Sequence, residues 1–250
     1  MSFYRPCWLT PSTDLPWNRA FDGKPAVTAG DGAFFEVPTV RGRPRITLLS
    51  PTPARLTAIF KKWGAELAKL RRKESDQGSP PGAVTRGTGA LDIIALAQKV
   101  SPSDRSVPNG SSIAMLLEHR GASVLLGADA FTTVLGPALS SLGRHRKRPG
   151  AMRVDVFKLS HHGSRANLTT ELLQTVQARN YVVSTNNAVF KHPDDEALAR
   201  VLVHGGEQPT LWFNYGTPRN RRWADADLQC MYRFSTEYPE TDVGGVTMEI

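Results

Sequence analysis

The feature that most constrains this chain is the alternation of strand-like and helix-like segments between residues 123 and 214. Short apolar runs at 123–126, 154–159, 181–185 and 210–214 are separated by helical signals at 130–142, 169–178 and 194–203. Such alternation specifies a layered α/β arrangement with helices packed on a sheet. Pro137 is expected to kink or split the first of those helices. In sheets of this kind functional side chains collect beyond the carboxyl ends of the strands. Asp129, His161, His162 and His192 each follow one of these runs, which puts them on one rim.

Outside that stretch the signals are weaker. Residues 1–31 are rich in Pro, Gly and Trp and read as irregular. Two strands are expected at 32–37 and 45–49, joined by a Pro/Gly/Arg turn. Thr52-Pro53 then offers a helix N-cap with proline at the first helical position. Leu56, Ile59, Phe60, Trp63, Leu67 and Leu70 follow at helical spacing, so 53–72 reads as an amphipathic helix whose apolar side belongs to the core. Residues 74–90 have the composition of a loop, and 91–99 suit a short helix. The runs 111–118 and 123–126 form a plausible hairpin, and further strands are expected at 229–234 and 245–250. This divides the chain into an N-terminal segment, 1–90, and a main α/β unit, 91–250.

Composition bounds the function. With 40% hydrophobic and 22% charged residues, the chain reads as an ordinary globular protein. It has no apolar stretch near the ~20 residues of a membrane span. Cys7 and Cys230 lie far apart with no CxxC spacing, so a disulfide framework is not expected and a reducing cytoplasm is the natural home. The net charge is +8, a field that favours nucleic acid or a phosphorylated substrate. The dense basic clusters are 144–148 and 219–222, and Lys61, Lys62, Lys69, Arg71, Arg72 and Lys73 line one helix. Charge runs of this kind are mostly solvated faces, with phosphate binding as the alternative.

The side chains expected on the rim suggest metal or proton-transfer chemistry. One carboxylate with several imidazoles makes a first shell for zinc, or for manganese or iron. The bland alternatives are that Asp129 caps the next helix, that His161 or His162 caps or packs after the Gly163 turn, and that His192-Pro193 is an ordinary turn. His119, His145 and His204 lie in charged or Gly-rich surface segments and read as non-functional. A Ser-His-Asp hydrolase built on Ser164, His161 and Asp129 is disfavoured, because no GxSxG elbow is present.

Four segments in order, Asn109-Gly-Ser-Ser112, Leu125-Leu-Gly-Ala-Asp129, Phe157-Lys-Leu-Ser-His161-His162-Gly-Ser-Arg165 and Ser184-Thr185 with His192-Pro-Asp194, resemble the metallo-β-lactamase fold. The group it is most similar to includes the hydrolase-like domain of ComEC-type DNA-uptake proteins. The resemblance covers 105–215 well and 32–70 more loosely. It implies that Asp129 is a bridging metal carboxylate and that one of His161 and His162 is a metal ligand. It also implies that His192 binds metal or donates a proton, that His162 and His192 are the catalytic pair, and that Asn109, Ser164 and Arg165 line the substrate pocket. The family's HxHxDH-type cluster has no counterpart, since no histidine precedes His119.

The resemblance therefore implies the C-terminal part of an αββα sandwich lacking its N-terminal strands. Its site would hold one zinc weakly and turn over a phosphodiester or related ester slowly or not at all. A complementing N-terminal half or an oligomer partner would cover the apolar sheet surface left open. The alternative is a non-enzymatic, degenerate or partner-dependent module that binds nucleic acid through basic residues such as Arg146, Lys147 and Arg148.

Overall fold

The computed structural model describes residues 18–70, 91–188, 190–241 and 244–250. The chain is α/β, built on one eight-stranded sheet whose spatial order follows the sequence. Strands β1 (Phe35–Val37), β2 (Arg45–Ser50), β3 (Ala114–His119) and β4 (Ala122–Leu126) pair with one another in succession antiparallel. From β4 onward, β5 (Met152–Lys158), β6 (Val176–Val183), β7 (Thr210–Phe213) and β8 (Ser235–Glu237) pair in parallel. Strands β1 and β2, from the segment read as N-terminal, extend the same sheet as the rest.

The β3–β4 hairpin closes through two residues, Arg120 at φ 51° and Gly121 at φ 92°. Positive φ at both central positions is the turn that matches strand twist. Parallel pairing beyond β4 needs crossovers, which α4 (Thr132–His145), α5 (Thr170–Thr175) and α6 (Asp195–His204) supply. Helix α2 (Ile93–Gln98) packs beside α6.

These helices cover one face of the sheet. Ile93 of α2, Leu135, Leu139 and Leu142 of α4, Leu172 and Leu173 of α5 and Leu198 of α6 are buried in one cluster. Leu49, Leu116, Leu125, Phe157, Tyr181 and Phe213 meet them from the strands. Truncating any of these leucines to alanine would cost about 2–5 kcal/mol. On the opposite face Met115, Leu117, Val124, Val182 and Trp212 are only half-buried by the described residues. Side chains alternate across a strand, so this second face is covered only in places, over Leu48 and Val156.

Several expectations need correction. Helix α1 (Pro53–Leu70) forms as expected, but Phe60 is 47%, Trp63 61% and Leu67 48% exposed. The reason is its position: α1 packs on the short helix α3 (Val107–Gly110) instead of lying along the sheet. Pro137 sits inside α4 without splitting it. The expected helix over 169–178 ends at Thr175, and β6 starts at the next residue.

The expected strand at 229–234 is helix α8 (Ala226–Tyr232). The Asp225 side chain accepts from the Leu228 N–H, a start signal that outweighs the local apolar run. Ahead of it lies a further short helix, α7 (Pro218–Arg221), capped by Thr217. Residues 245–250 form no strand. Residues 1–17 and the loop expected at 74–90 lie outside the described residues.

Candidate functional site

The site is assembled by the loops that leave β4, β5 and β6. After β4 the chain turns through Ala128, at φ 45°, and presents a half-buried Asp129 before α4 begins. The N-cap of α4 is Phe131, with no side-chain cap, so Asp129 does not perform the capping role open to it. After β5, His161 (φ 45°), His162 (φ 57°) and Gly163 (φ 83°) adopt left-handed geometry in succession. For non-glycine residues each such conformation costs roughly 1 kcal/mol or more, and persists only where surroundings over-determine it.

The surroundings do so here. His161 N–H donates to Ala128 C=O at 2.7 Å, and Gly127 N–H donates to Lys158 C=O at 3.1 Å, stitching the two loops together. Asp194 N–H donates to Gly163 C=O at 2.9 Å. A Cβ on Gly163 would meet the Pro193 Cβ at 2.8 Å, so only glycine fits between these loops.

The strained turn brings three imidazoles together. The His161 ring centroid lies 5.0 Å from that of His192 and 6.2 Å from that of His162. Phe190, 68% exposed, stacks on His192 at 6.2 Å and forms the outer wall.

Two of the rings are held by the same edge. His162 Nδ1 is 2.6 Å from the Ser184 carbonyl. A carbonyl only accepts, so Nδ1 carries the proton and Nε2 presents a lone pair. His161 Nδ1 is 3.1 Å from Asn167 Oδ1 and 3.5 Å from Asp104 Oδ2. The Asn167 amide nitrogen faces Asp104 Oδ2 at 3.0 Å and the carbonyls of Asp129 and Ala130 at 3.3 and 3.4 Å. That fixes the amide oxygen toward His161, so this ring also donates from Nδ1 and leaves Nε2 as acceptor.

Asp104 anchors the arrangement from behind. Burial alone would raise its pKa, but hydrogen bonds from Asn109, the Ser106 backbone and Asn167, with His161 nearby, hold the carboxyl below its usual range. Carboxylate-to-imidazole contacts of this kind orient rings that act through the opposite nitrogen. Asn109 donates to Asp104 at 2.8 Å and so steadies the carboxylate; its amide nitrogen, 3.4 Å from His161 Nδ1, makes no bond to a protonated Nδ1.

The electrostatics favour a neutral His162. Burial lowers its pKa first and the neighbouring Lys158 ammonium lowers it further, against the Ser184 carbonyl and Asp129, which raise it. Burial also lowers the pKa of Lys158, while Asp129 raises it. Lys158 Nζ donates to the Leu159 carbonyl at 2.8 Å. Asp129, Lys158 and His162 thus act on one another at one end of β5.

The other expected residues fall into place differently. His192 Nδ1 is buried with no hydrogen-bond partner among the described residues, 3.5 Å from Asp194 Oδ2. Ser164 is 5% exposed and its hydroxyl accepts from Ala166 N–H at 3.3 Å. His161 Nδ1 faces Asn167 and Asp104, so no Ser164–His161–Asp129 relay forms. Arg165 donates to Glu196 at 2.9 Å, and its backbone N–H donates to Asp194.

Asp104, Asn167 and Phe190 have no place in the sequence reading, and Lys158 and Ser184 enter it only as members of longer segments with no role of their own. Asp104 alone carried a local sign, an Asp-x-Ser turn that its carboxylate closes on Ser106 N–H at 2.8 Å. Among the described residues no group of three or more His, Cys, Asp or Glu side chains is placed to hold a metal ion together. The donors on offer are the Nε2 atoms of His161 and His162 and the carboxylate of Asp129. That is the number of protein ligands a catalytic zinc ordinarily keeps, but the three are not placed to hold one ion together.

No family model, curated protein or solved structure matches this chain. Its site is therefore read from its own geometry.

Proposed function

We propose that the carboxyl end of the sheet is a hydrolase-type site of the metallo-β-lactamase kind, acting slowly on a phosphodiester or related ester. The supporting observation is the pair of adjacent imidazoles, both held through Nδ1, which leaves two Nε2 acceptors on the rim shared with Asp129. A neutral His162 at pH 7 accepts a proton from an attacking water, or after protonation returns it to a leaving oxygen. Asp129 and Lys158 supply opposite charges beside that ring. His192 closes the wall behind His161.

Zinc, or manganese or iron in its place, would find donors in Asp129, His161 and His162, with His192 adjacent, and would supply a Lewis acid there. With so few donors the proposal is one weakly held ion. The test pairs calorimetric zinc titration with hydrolysis of bis(p-nitrophenyl) phosphate. At most one exchangeable zinc per chain is expected, abolished in H161A/H162A, with turnover well below ~1 s⁻¹, the lower end of the ordinary range. Residual turnover should vanish in H162A. Two tightly held ions with ordinary turnover would overturn the proposal, as would zinc binding indifferent to both histidines.

A further inference from the structure

The opposite end of the same sheet holds a second site of different chemistry. There the β1–β2 connection, the β3–β4 turn and the amino ends of β5 and β6 surround a cleft of about 960 Å³. Seven arginines line it: Arg41, Arg43 and Arg45 from the β1–β2 side, Arg120 from the hairpin turn, Arg153 and Arg179 from β5 and β6, and Arg148 from the loop after α4. All seven are exposed. None has an ion-pair partner among the described residues.

Among the described residues none of the nearby acids pairs with them, although Asp155 and Glu207 bring their own negative charges to the lining. Glu118 takes both oxygens to Arg146 at 2.8 Å, and Arg146 is a buried neighbour outside the lining. Asp155 accepts from the Ser123 backbone at 2.8 Å and the Ser123 hydroxyl at 2.7 Å. Only Glu207 in the lining is left without such a bond, and it is exposed. Seven arginines against Asp155 and Glu207 leave an excess of positive charge in one cleft, and their mutual repulsion is relieved when an outside anion enters.

The residue type and layout indicate which anion. A guanidinium presents a planar fork that binds phosphate through two parallel N–H groups. From Arg45 on β2 to Arg179 on β6 the row crosses four strand spacings of ~4.8 Å, about 19 Å in all. That length exceeds a compact phosphate ester and suits successive phosphates on a strand. No Phe, Tyr or Trp lines the cleft, so there is no platform on which bases would stack. We infer that this cleft binds a nucleic-acid strand through its phosphodiester backbone, without stacking its bases or reading sequence. This site stands apart from the hydrolase proposal and does not depend on it.

The test is fluorescence anisotropy of a labelled single-stranded DNA oligonucleotide with the full chain, at several salt concentrations. Each phosphate contact should contribute about 0.7 to the slope of log K against log salt. The R153Q/R179Q variant should lower that slope by about 1.4. K61Q/K62Q removes the same charge from exposed positions on α1 and should leave it unchanged. D129A and H162A should bind the strand as the native chain does, which separates this inference from the hydrolase reading.

Equal losses from both charge pairs would overturn the inference, as would no binding at ~50 mM salt. Loss of binding in D129A or H162A would move the strand to the other end of the sheet and also overturn it. Displacement by tripolyphosphate as efficient as by unlabelled strand would replace the strand with a compact polyphosphate.

Discussion

At the carboxyl end of the sheet most polar side chains satisfy one another, whereas at the amino end arginines gather that, among the described residues, form no ion pair. Asn167, fully buried, serves His161, Asp104 and two backbone carbonyls at once. The rings it helps to hold are fixed before any ligand arrives, which is what proton transfer at a defined atom requires. The seven cleft arginines are solvent-facing and have no ion-pair partner among the described residues, so their order awaits a counter-charge. The difference teaches that net charge in this chain is not one property. It is neutralised internally at one end and left outstanding at the other.

The largest effect that would break the comparison is at the braced end. Asn167→Ala leaves Asp104 and the His161 ring without a shared partner in a buried setting, and should cost about 2–4 kcal/mol. Urea denaturation would show this as a lower midpoint at constant slope. A loss under ~0.5 kcal/mol, typical of surface sites, would mean that the network does not hold the loop.

Next comes a comparison inside one basic run. Arg146 is 9% exposed and grips Glu118, Glu36 and Thr47, so the reading of this cluster as solvated fails at its central residue. Arg146→Met should cost about 2–3 kcal/mol, discounted for the partly exposed acids. Arg148→Met, two residues on and exposed, should change stability by less than ~0.5 kcal/mol while weakening strand binding. Similar stability losses for the two would erase the distinction between paired and open arginines.

The smallest effect is in pH dependence. The folded-state pKa of His162 lies below its ordinary value, so the unfolded chain binds that proton first as pH falls. Stability linked to this ring is complete above the unfolded pKa of ~6.5 and declines as pH drops below it, down to the folded pKa. Thermal melts should therefore fall more steeply between pH 7 and pH 5 for the native chain than for H162Q. Parallel curves would mean that the ring is not desolvated.

Much of the α/β frame was legible because its signals were local. The Arg120-Gly121 turn, the Thr52-Pro53 helix start and the apolar runs of β4, β5 and β6 each carry their own geometry. Strand 229–234 was misread because its apolar residues were weighed without the Asp225 cap. The aromatic side of α1 was assigned to the core because periodicity gives an apolar face without saying what it faces. In the site, Asp129 and the histidines could be placed from strand ends alone. Asp104 and Asn167 could not, since they meet across 63 positions of sequence. The cleft arginines come from five separate segments and form a site only once the sheet has closed.

The account rests on two neighbouring rings sharing one tautomer, and long-range proton–nitrogen correlation spectra of the histidine side chains read that directly. For neutral His161 and His162 the account predicts protons on Nδ1, with both Nε2 resonances showing acceptor nitrogens that shift on adding zinc. Protons on Nε2 in either ring, or Nε2 signals that ignore zinc, would contradict it.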